Sequence, residues 1–363
     1  MEAKAAVIYE QGASFVIEEI ELDDPREDEV LVRIEASGVC HTDSVAQGLV
    51  DLPAVFGHEG VGVVEKLGSE NTALSLGDRV IISFPWCGHC GNCSANRTYW
   101  CDDAYPMLFG GGRADGTKTI RLNDEPISSA FFQQSSFATH AITLARDTIK
   151  VTDNHLGPEM LAALPCGVLT GAGSIFNEFR LKEANSLVIF GAGAVGLSAL
   201  MAAKVVGCKD IICVDIVEDR LKLAKELGAS ETINASKEDV KNIILKVFNG
   251  GVDYVLETSG AHSSFETSLF VVKTGGTIGA VTFPNYGSTF EVPGEIIVAR
   301  GIHLTGIRLG SSRAEELLPY LLKLNSEGIF PFEKIISHYD FVDINQAIAD
   351  AHNGSAVKPV LVM

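Results

Sequence analysis

Residues 186–215 read SLVIFGAGAVGLSALMAAKVVGCKDIICVD, and this stretch decides the fold of half the chain. SLVIF is an apolar run of buried-strand length that leads straight into Gly191-Ala192-Gly193-Ala194-Val195-Gly196. An apolar helix follows, and then IICVD, a second buried strand that ends on Asp215. A lone G-x-G-x-x-G is weak. Here it follows a strand, opens a helix and has an acid about twenty residues on, which together make the dinucleotide fingerprint. Gly191, Gly193 and Gly196 let the backbone approach a pyrophosphate, and the helix N-terminus supplies N–H groups and a positive dipole. Asp215 can accept hydrogen bonds from both adenosine ribose hydroxyls, and its charge repels a 2′-phosphate, so NAD is expected over NADP.

The alternation continues downstream. Val217, Leu221, Ala224 and Leu227 mark one helix face at spacings of 4, 3 and 3. SETINAS, VDYVLETSG, GGTIGAVTF and GIHLTGI supply four more strand candidates, making six with the first two, enough for a doubly wound parallel sheet. Near residue 310 the pattern changes. Ser312-Arg313-Ala314-Glu315 reads as a capping box opening the helix ELLPYLLKL. This last portion is expected to rejoin the first domain, because a tail of about 50 residues buries too little to stand alone.

Upstream, the first ~110 residues read as short strands and glycine turns of a compact, barrel-like domain. Val30, Val32, Ile34 and Ala36 alternate with Leu31, Arg33 and Glu35, the period of a half-buried strand, and GVGVVEKLG and DRVIIS give others. With 363 residues, two domains are the default. Hydrophobic residues make up 46% and charged ones 21%, as in a globular protein, and a net charge of −19 argues against nucleic acid or an anionic membrane as partner. The start lacks the basic and apolar regions of a signal peptide, no run approaches ~18 uninterrupted apolar residues, and a cytosolic protein is expected. In a reducing cytosol the eight cysteines favour metal ligation over disulfides, although Cys208 and Cys213 sit in apolar surroundings as core residues do.

Residues 38–60, GVCHTDSVAQGLVDLPAVFGHEG, hold Cys40, His41, Asp43, His58 and Glu59, all groups able to bind or orient a metal. Cys and His with an open fourth position form a ligand set for catalytic zinc, and Cys166 in ALPCGVLTG is the best third ligand. A buried cysteine beside a satisfied core histidine is the plainer alternative. In residues 86–101, WCGHCGNCSANRTYWC, Cys87, Cys90, Cys93 and Cys101 form a C-x2-C-x2-C-x7-C array. Four thiolates so spaced close round one tetrahedral ion, a structural zinc; two disulfides or an iron–sulfur cluster are the alternatives. Residues 102–130 read as a loop that either lines a pocket or runs over the surface, and Phe131, Phe132 and Phe137 as a pocket wall or as core.

The motifs GVCHTD, GHEGVGVV, the four-cysteine lobe, PCGVLTG and GAGAVG followed by VDI stand in an order that resembles the zinc-dependent medium-chain alcohol dehydrogenases over nearly the whole chain. FFQQSSFATH and PCGVLTGAGSIFN look most like bacterial aryl-alcohol (benzyl alcohol) dehydrogenases. The resemblance implies an α/β chain: a GroES-like β-rich catalytic domain plus a Rossmann doubly wound parallel sheet. The implied division is 1–167, carrying the lobe 87–101, then 168–309 for NAD, and 310–363 returning to the catalytic domain.

It further implies two zinc ions per chain, one catalytic on Cys40, His58 and Cys166 and one structural on the lobe. Asp43 would accept a hydrogen bond from the His58 ring and fix it. Glu59 would approach the metal transiently when the site is empty. Thr42 would bridge the substrate oxygen to the nicotinamide ribose, unless it merely caps a helix. His41 and Lys358 would meet the cofactor pyrophosphate, Arg220 the adenosine ribose, and Thr170 the back of the nicotinamide. For His41, Arg220 and Lys358 a solvated side chain is the alternative. Relatives often continue the proton relay with a histidine where this chain has Val45.

The implied reaction is reversible oxidation of a primary aryl or allylic alcohol to the aldehyde. Zinc stabilises the alkoxide and hydride passes to C4 of NAD. Phe131, Phe132 and the turn Ser83-Phe84-Pro85-Trp86 would wall the substrate, and Ser83, often aromatic in relatives, would widen that pocket enough to leave a terpenoid or aliphatic alcohol open. A glutathione-adduct formaldehyde dehydrogenase and a non-catalytic zinc- and nucleotide-binding scaffold are the competing readings. By the same resemblance the partner is a small alcohol or aldehyde and the chain a homo-oligomer, a tetramer or dimer.

Overall fold

The structure, a computed structural model, describes every residue except 70–72, 153–154 and 283–286. The strand Ser186–Phe190 pairs in parallel with Asp210–Asp215 on one side and Val252–Glu257 on the other. With Glu231–Asn234, Val272–Ala280 and His303–Gly306 these form a six-stranded sheet in the order Glu231–Asn234, Asp210–Asp215, Ser186–Phe190, Val252–Glu257, Val272–Ala280, His303–Gly306. Every neighbouring pair is parallel. All six strand candidates are present; the one read as 275–283 begins earlier, at Val272, and its last residue lies outside the described residues.

Val188, Ile212, Val255 and Ile278 are fully buried, as expected when helices cover both faces of a parallel sheet. Truncating any one to alanine in such a core costs about 1–5 kcal/mol. Strand order reverses between Ser186–Phe190 and Val252–Glu257, and ligands of such sheets bind beyond the carboxyl ends at that point.

By contacts the chain divides into two units. One comprises Met1–Cys166, Arg313–Ser326 and Glu333–Met363, the other Gly167–Ser312 and Glu327–Phe332. Residues 327–332, which sequence reasoning placed with the catalytic domain, thus group with the parallel sheet.

The first unit is built on Glu29–Gly38. This strand pairs antiparallel with Gly60–Leu67, His140–Leu144 and the C-terminal strand Lys358–Val362. Gly62 is glycine because a Cβ there would stand 2.0 Å from the Arg33 carbonyl oxygen. The strand departs from simple alternation. Val30, Val32 and Ile34 pack into one core cluster, while Leu31, 5% exposed, packs into another with Ile20 and Ile142. Both faces are covered at that end, so the polar-out half of the pattern begins only at Arg33.

Two further expectations are corrected. Residues 102–130 are not simply a loop, since they contain the helix Ala104–Phe109 and the antiparallel pair Ile120–Leu122 and Glu125–Ile127. The capping box fails: Ser312 Oγ donates to the Gly310 carbonyl, Glu315 is drawn to the Arg313 guanidinium, and the helix starts at Ala314. Pro158–Glu178 is helical over 21 residues and apolar enough to cross a membrane by length and composition, but 78% of its apolar window is buried inside the protein, as in a core helix.

Candidate metal centres and nucleotide site

Cys40 follows the buried strand Glu29–Gly38 and immediately precedes the short helix His41–Val45. His58 precedes Gly60–Leu67, and Cys166 lies inside a π-helical turn, Leu164–Val168, a distortion often found at functional sites. Three separate segments thus converge. The ligand atoms of Cys40, His58, Glu59 and Cys166 all lie within 4.8 Å of one another.

Asp43 organises the group. Its Oδ2 accepts from the Cys40 amide at 2.9 Å, and its Oδ1 accepts from His58 Nδ1 at 2.8 Å and from the Gly57 amide at 3.3 Å. Because a carboxylate only accepts, Nδ1 of His58 carries a proton, and in the neutral ring Nε2 presents a lone pair. That Nε2 is buried with no hydrogen-bond partner among the described residues. Burial opposes charge on the imidazole, but Asp43, then Cys40, hold its pKa well above the ordinary value.

The two thiols, Cys40 and Cys166, stand 3.8 Å apart. Sulfurs bonded at about 2.3 Å to one tetrahedral ion are separated by about 3.8 Å. The hydrogen bond from Cys166 pushes the Cys40 thiol well down, aided by His58 and Lys358. An orphaned imidazole nitrogen facing two thiols at metal-bridging separation fits zinc, with a fourth position open.

The lobe fits a closed site. All eight cysteines are free thiols, which removes the disulfide alternative. The sulfurs of Cys87, Cys90, Cys93 and Cys101 lie within 4.8 Å of one another, with Cys87 and Cys93 3.9 Å apart. Backbone amides face the sulfurs: Cys87 N to Cys101 Sγ at 3.3 Å, Cys90 N to Cys87 Sγ at 3.3 Å and Cys93 N to Cys90 Sγ at 3.4 Å. The Asp102 and Cys93 amides bring the Cys90 thiol down to about 7. No substrate oxygen can enter a shell made of four sulfurs.

Other expected residues find different settings. Thr42 Oγ1 lies 3.6 Å from Cys40 Sγ, beside the metal cluster. His41 is exposed, its ring 6.0 Å from that of His352, which in turn is within 3.0 Å of Ser44 Oγ. Lys358 is not a solvated charge. It is 2% exposed, forms an ion pair with Glu59 Oε2 and donates to the Val39 carbonyl at 3.2 Å. Gly38 is glycine because a Cβ there would fall 2.7 Å from the Ala162 carbonyl oxygen as well as against Glu59 Oε2.

Phe131 and Phe132 are 1% and 3% exposed and belong to the core. Rather than presenting open surface, Phe132 stacks on the His58 ring, centroids 4.5 Å apart and planes 28° from parallel. The half-buried ring beside them is Phe84, edge-on to His58 at 6.2 Å and to Phe132 at 5.1 Å. Sequence reasoning missed Phe109, edge-on to Phe132 at 5.6 Å, because its helix was read as a loop.

In the second unit, Gly191 takes φ +94°, and a Cβ on it would lie 2.6 Å from Thr258 Oγ1. A Cβ on Gly196 would lie 1.8 Å from the Gly191 carbonyl oxygen, so this glycine permits helix and strand to close together. Gly193 differs. Among the described residues nothing lies within 4 Å of its absent Cβ, leaving the open backbone that a pyrophosphate needs at the start of Ala194–Val205.

Asp215 Oδ2 accepts from the Ala192 amide at 2.6 Å, and its Oδ1 from the Ile216 and Val217 amides at 2.7 and 2.8 Å, which ties the glycine turn to the next strand end. Thr170 is buried and Arg220 half-buried on the helix Glu218–Glu226.

Comparison with known proteins agrees with this geometry. Residues 26–152 match the alcohol dehydrogenase GroES-like domain and residues 194–324 the zinc-binding dehydrogenase domain. A geraniol dehydrogenase of Castellaniella defragrans is 38% identical over 99% of this chain and 97% of its own length. Among solved structures, the benzyl alcohol dehydrogenase of Acinetobacter calcoaceticus superposes with a TM-score of 0.96 at 37% identity, over 100% of this chain and 99% of its own. An alcohol dehydrogenase zinc-binding domain protein from Burkholderia ambifaria does so with 0.96 at 40% identity and the same coverage. Likeness of this extent, over both domains at once, makes the chain a member of the zinc-dependent alcohol dehydrogenase family, with zinc and NAD as its cofactors.

Proposed function

We propose that the chain oxidises a primary alcohol whose carbinol carbon adjoins a π system, an aryl or allylic alcohol of the benzyl or cinnamyl type, with NAD as acceptor, and that it also runs the reverse reduction. The observation that carries this reading is the aromatic wall beside the metal cluster. Phe84, half-buried, stands edge-on to His58 at 6.2 Å, and Phe109 extends the wall edge-on to Phe132 at 5.6 Å. A flat, unsaturated substrate gains most from such rings. The relatives named for geraniol and for benzyl alcohol support the reading, since both alcohols carry the hydroxyl one carbon from a π bond.

When bound, zinc supplies the Lewis acidity that acidifies an alcohol, and NAD the hydride acceptor. Cys40, His58 and Cys166 hold the metal, and Asp43 keeps the His58 proton on Nδ1. Thr42, beside Cys40 Sγ, takes the hydrogen bond of the substrate hydroxyl and passes its proton outward. Val45, 40% exposed on the same short helix, adds no titratable group, so the proton leaves to solvent. Gly193 would leave the backbone open to the pyrophosphate in a turn that Gly191 and Gly196 make possible, and Asp215 would receive the ribose.

The enzyme is read as a cytosolic homo-oligomer. The edge strand His303–Gly306, with Leu304 43% exposed, offers unpaired backbone for a second copy.

NADH appearance tests the reading with benzyl alcohol, cinnamyl alcohol, geraniol, hexanol, ethanol and hydroxymethylglutathione, before and after chelation. The expected result is a chelator-sensitive rate highest on benzyl or cinnamyl alcohol. Activity confined to hexanol or to the glutathione adduct would overturn it.

A further inference from the structure

The segment 130–137 has an uncommon backbone. Ala130, Phe132, Gln133 and Ser135 all take positive φ, between 52° and 54°, although none is glycine. Such conformations persist only where the surroundings over-determine them. What this turn does is seize the segment that delivers His58. Ser135 Oγ donates to the Val55 carbonyl at 2.7 Å, Phe137 N to Phe56 O at 2.9 Å and Ser136 N to Gly57 O at 3.0 Å.

Gln134 completes the grip. Its side chain, 2% exposed, donates from Nε2 to the His58 carbonyl at 3.0 Å and accepts at Oε1 from the Gly60 amide at 3.0 Å. A primary amide satisfies a carbonyl and an N–H two residues apart in the way a neighbouring strand would, but without adding a peptide unit. Phe132, from the same turn, lies flat on the His58 imidazole. Asp43 orients the ring through Nδ1, and Gln134 fixes the main chain that carries it.

We infer that Gln134 is a positioning residue for the zinc ligand His58: its amide clamps the backbone on both sides of Glu59, so that Nε2 of His58 is held at the separation from Cys40 and Cys166 that zinc requires. This rests on the assignment of those three residues as metal ligands. Gln133 supplies the internal contrast. It is similarly buried, at 7%, on the same strained turn, but its Nε2 donates to the Met107 and Gly112 carbonyls, both at 3.1 Å, and not to the ligand segment.

The test compares Gln134→Met and Gln133→Met with the unaltered enzyme. Zinc loss to a chelator is followed by metal content, and the d–d absorption is recorded after cobalt(II) is exchanged into the labile site. In Gln134→Met one of two zinc ions should leave at least about tenfold faster, as when other outer partners of metal ligands are removed. Its cobalt bands should shift. Gln133→Met should match the unaltered enzyme in both readouts. Equal behaviour of the two variants, or no change in Gln134→Met, would overturn the inference. If Gln134→Met does not fold, Gln134→Glu decides by the same criteria, since at neutral pH it lacks the donor to the His58 carbonyl. An unaltered enzyme that binds a single zinc would instead refute the ligand assignment itself.

Discussion

Glu59 and Lys358 form an ion pair sealed from water, their side chains 0% and 2% exposed. The shifts on the two partners do not mirror each other. Burial, joined by the neighbouring Cys40 sulfur, pushes the Glu59 carboxyl up to about 7 against the pull of Lys358. Burial works against the ammonium as well, but Glu59, Cys40 and Cys166 together hold Lys358 above its ordinary value. The ammonium therefore serves the whole anionic cluster rather than one carboxylate. Lys358→Met should destabilise the fold by about 1–3 kcal/mol, because it leaves the Glu59 carboxyl buried without its partner. Adding Glu59→Gln should recover most of that loss, and urea unfolding of the two single variants and the double one reads the coupling.

The two metal centres should separate by mutation. Cys166→Ser, at the open centre, should lower zinc from two ions to one per chain and abolish turnover while the unfolding midpoint moves little. Cys93→Ser should also remove one ion, but at a closed site whose metal contributes folding energy outright, so the midpoint should fall markedly. Metal content measured beside thermal unfolding distinguishes them. Equal stability loss in both variants would contradict a division into catalytic and structural sites.

Asp215 bears two loads at once. Its carboxylate accepts three backbone amides, those of Ala192, Ile216 and Val217, and so shapes the glycine turn before any ribose arrives. Asp215→Ala should weaken NADH binding by more than about tenfold and cost about 1–3 kcal/mol through the amides left unpaired. NADH fluorescence titration gives the first quantity and thermal unfolding the second. A variant that bound NADH normally would remove Asp215 from the cofactor site.

What the sequence made legible was whatever is written at short range. The stretch 186–215 spells strand, turn, helix and strand in one run, and the lobe holds its four ligands within fifteen residues, 87–101. Contacts between distant segments carried no such signal. Lys358 meets Glu59 across most of the chain, so nothing near it in sequence announced this partner. The helix Ala104–Phe109 is short and contains Pro106, and no period of 3.6 can show in six residues. Aromatic clustering left Phe131 and Phe132 open between pocket wall and core, because it does not say which neighbour a ring will meet, here His58 for Phe132.

Asp147 supplies the pH prediction. Its carboxylate is 2% exposed, and among the described residues neither oxygen completes a hydrogen bond. Burial drives its pKa well up, opposed by the Arg146 guanidinium at 3.9 Å and by the nearby Trp86 amide, and assisted by Glu315 and Asp28. A carboxyl with a raised pKa binds its proton more tightly folded than unfolded. Its contribution to stability is therefore full below the unfolded value of about 3.9 and is lost as pH climbs from there through the folded value. Asp147→Asn keeps the shape without the charge. Near pH 4 the variant should unfold at almost the unaltered midpoint, and the gain should grow toward neutral pH, reaching about 1–3 kcal/mol. Thermal unfolding at a series of pH values checks it. A variant less stable at pH 7 than at pH 4, relative to the unaltered chain, would mean that Arg146 pairs with Asp147 strongly enough to outweigh burial.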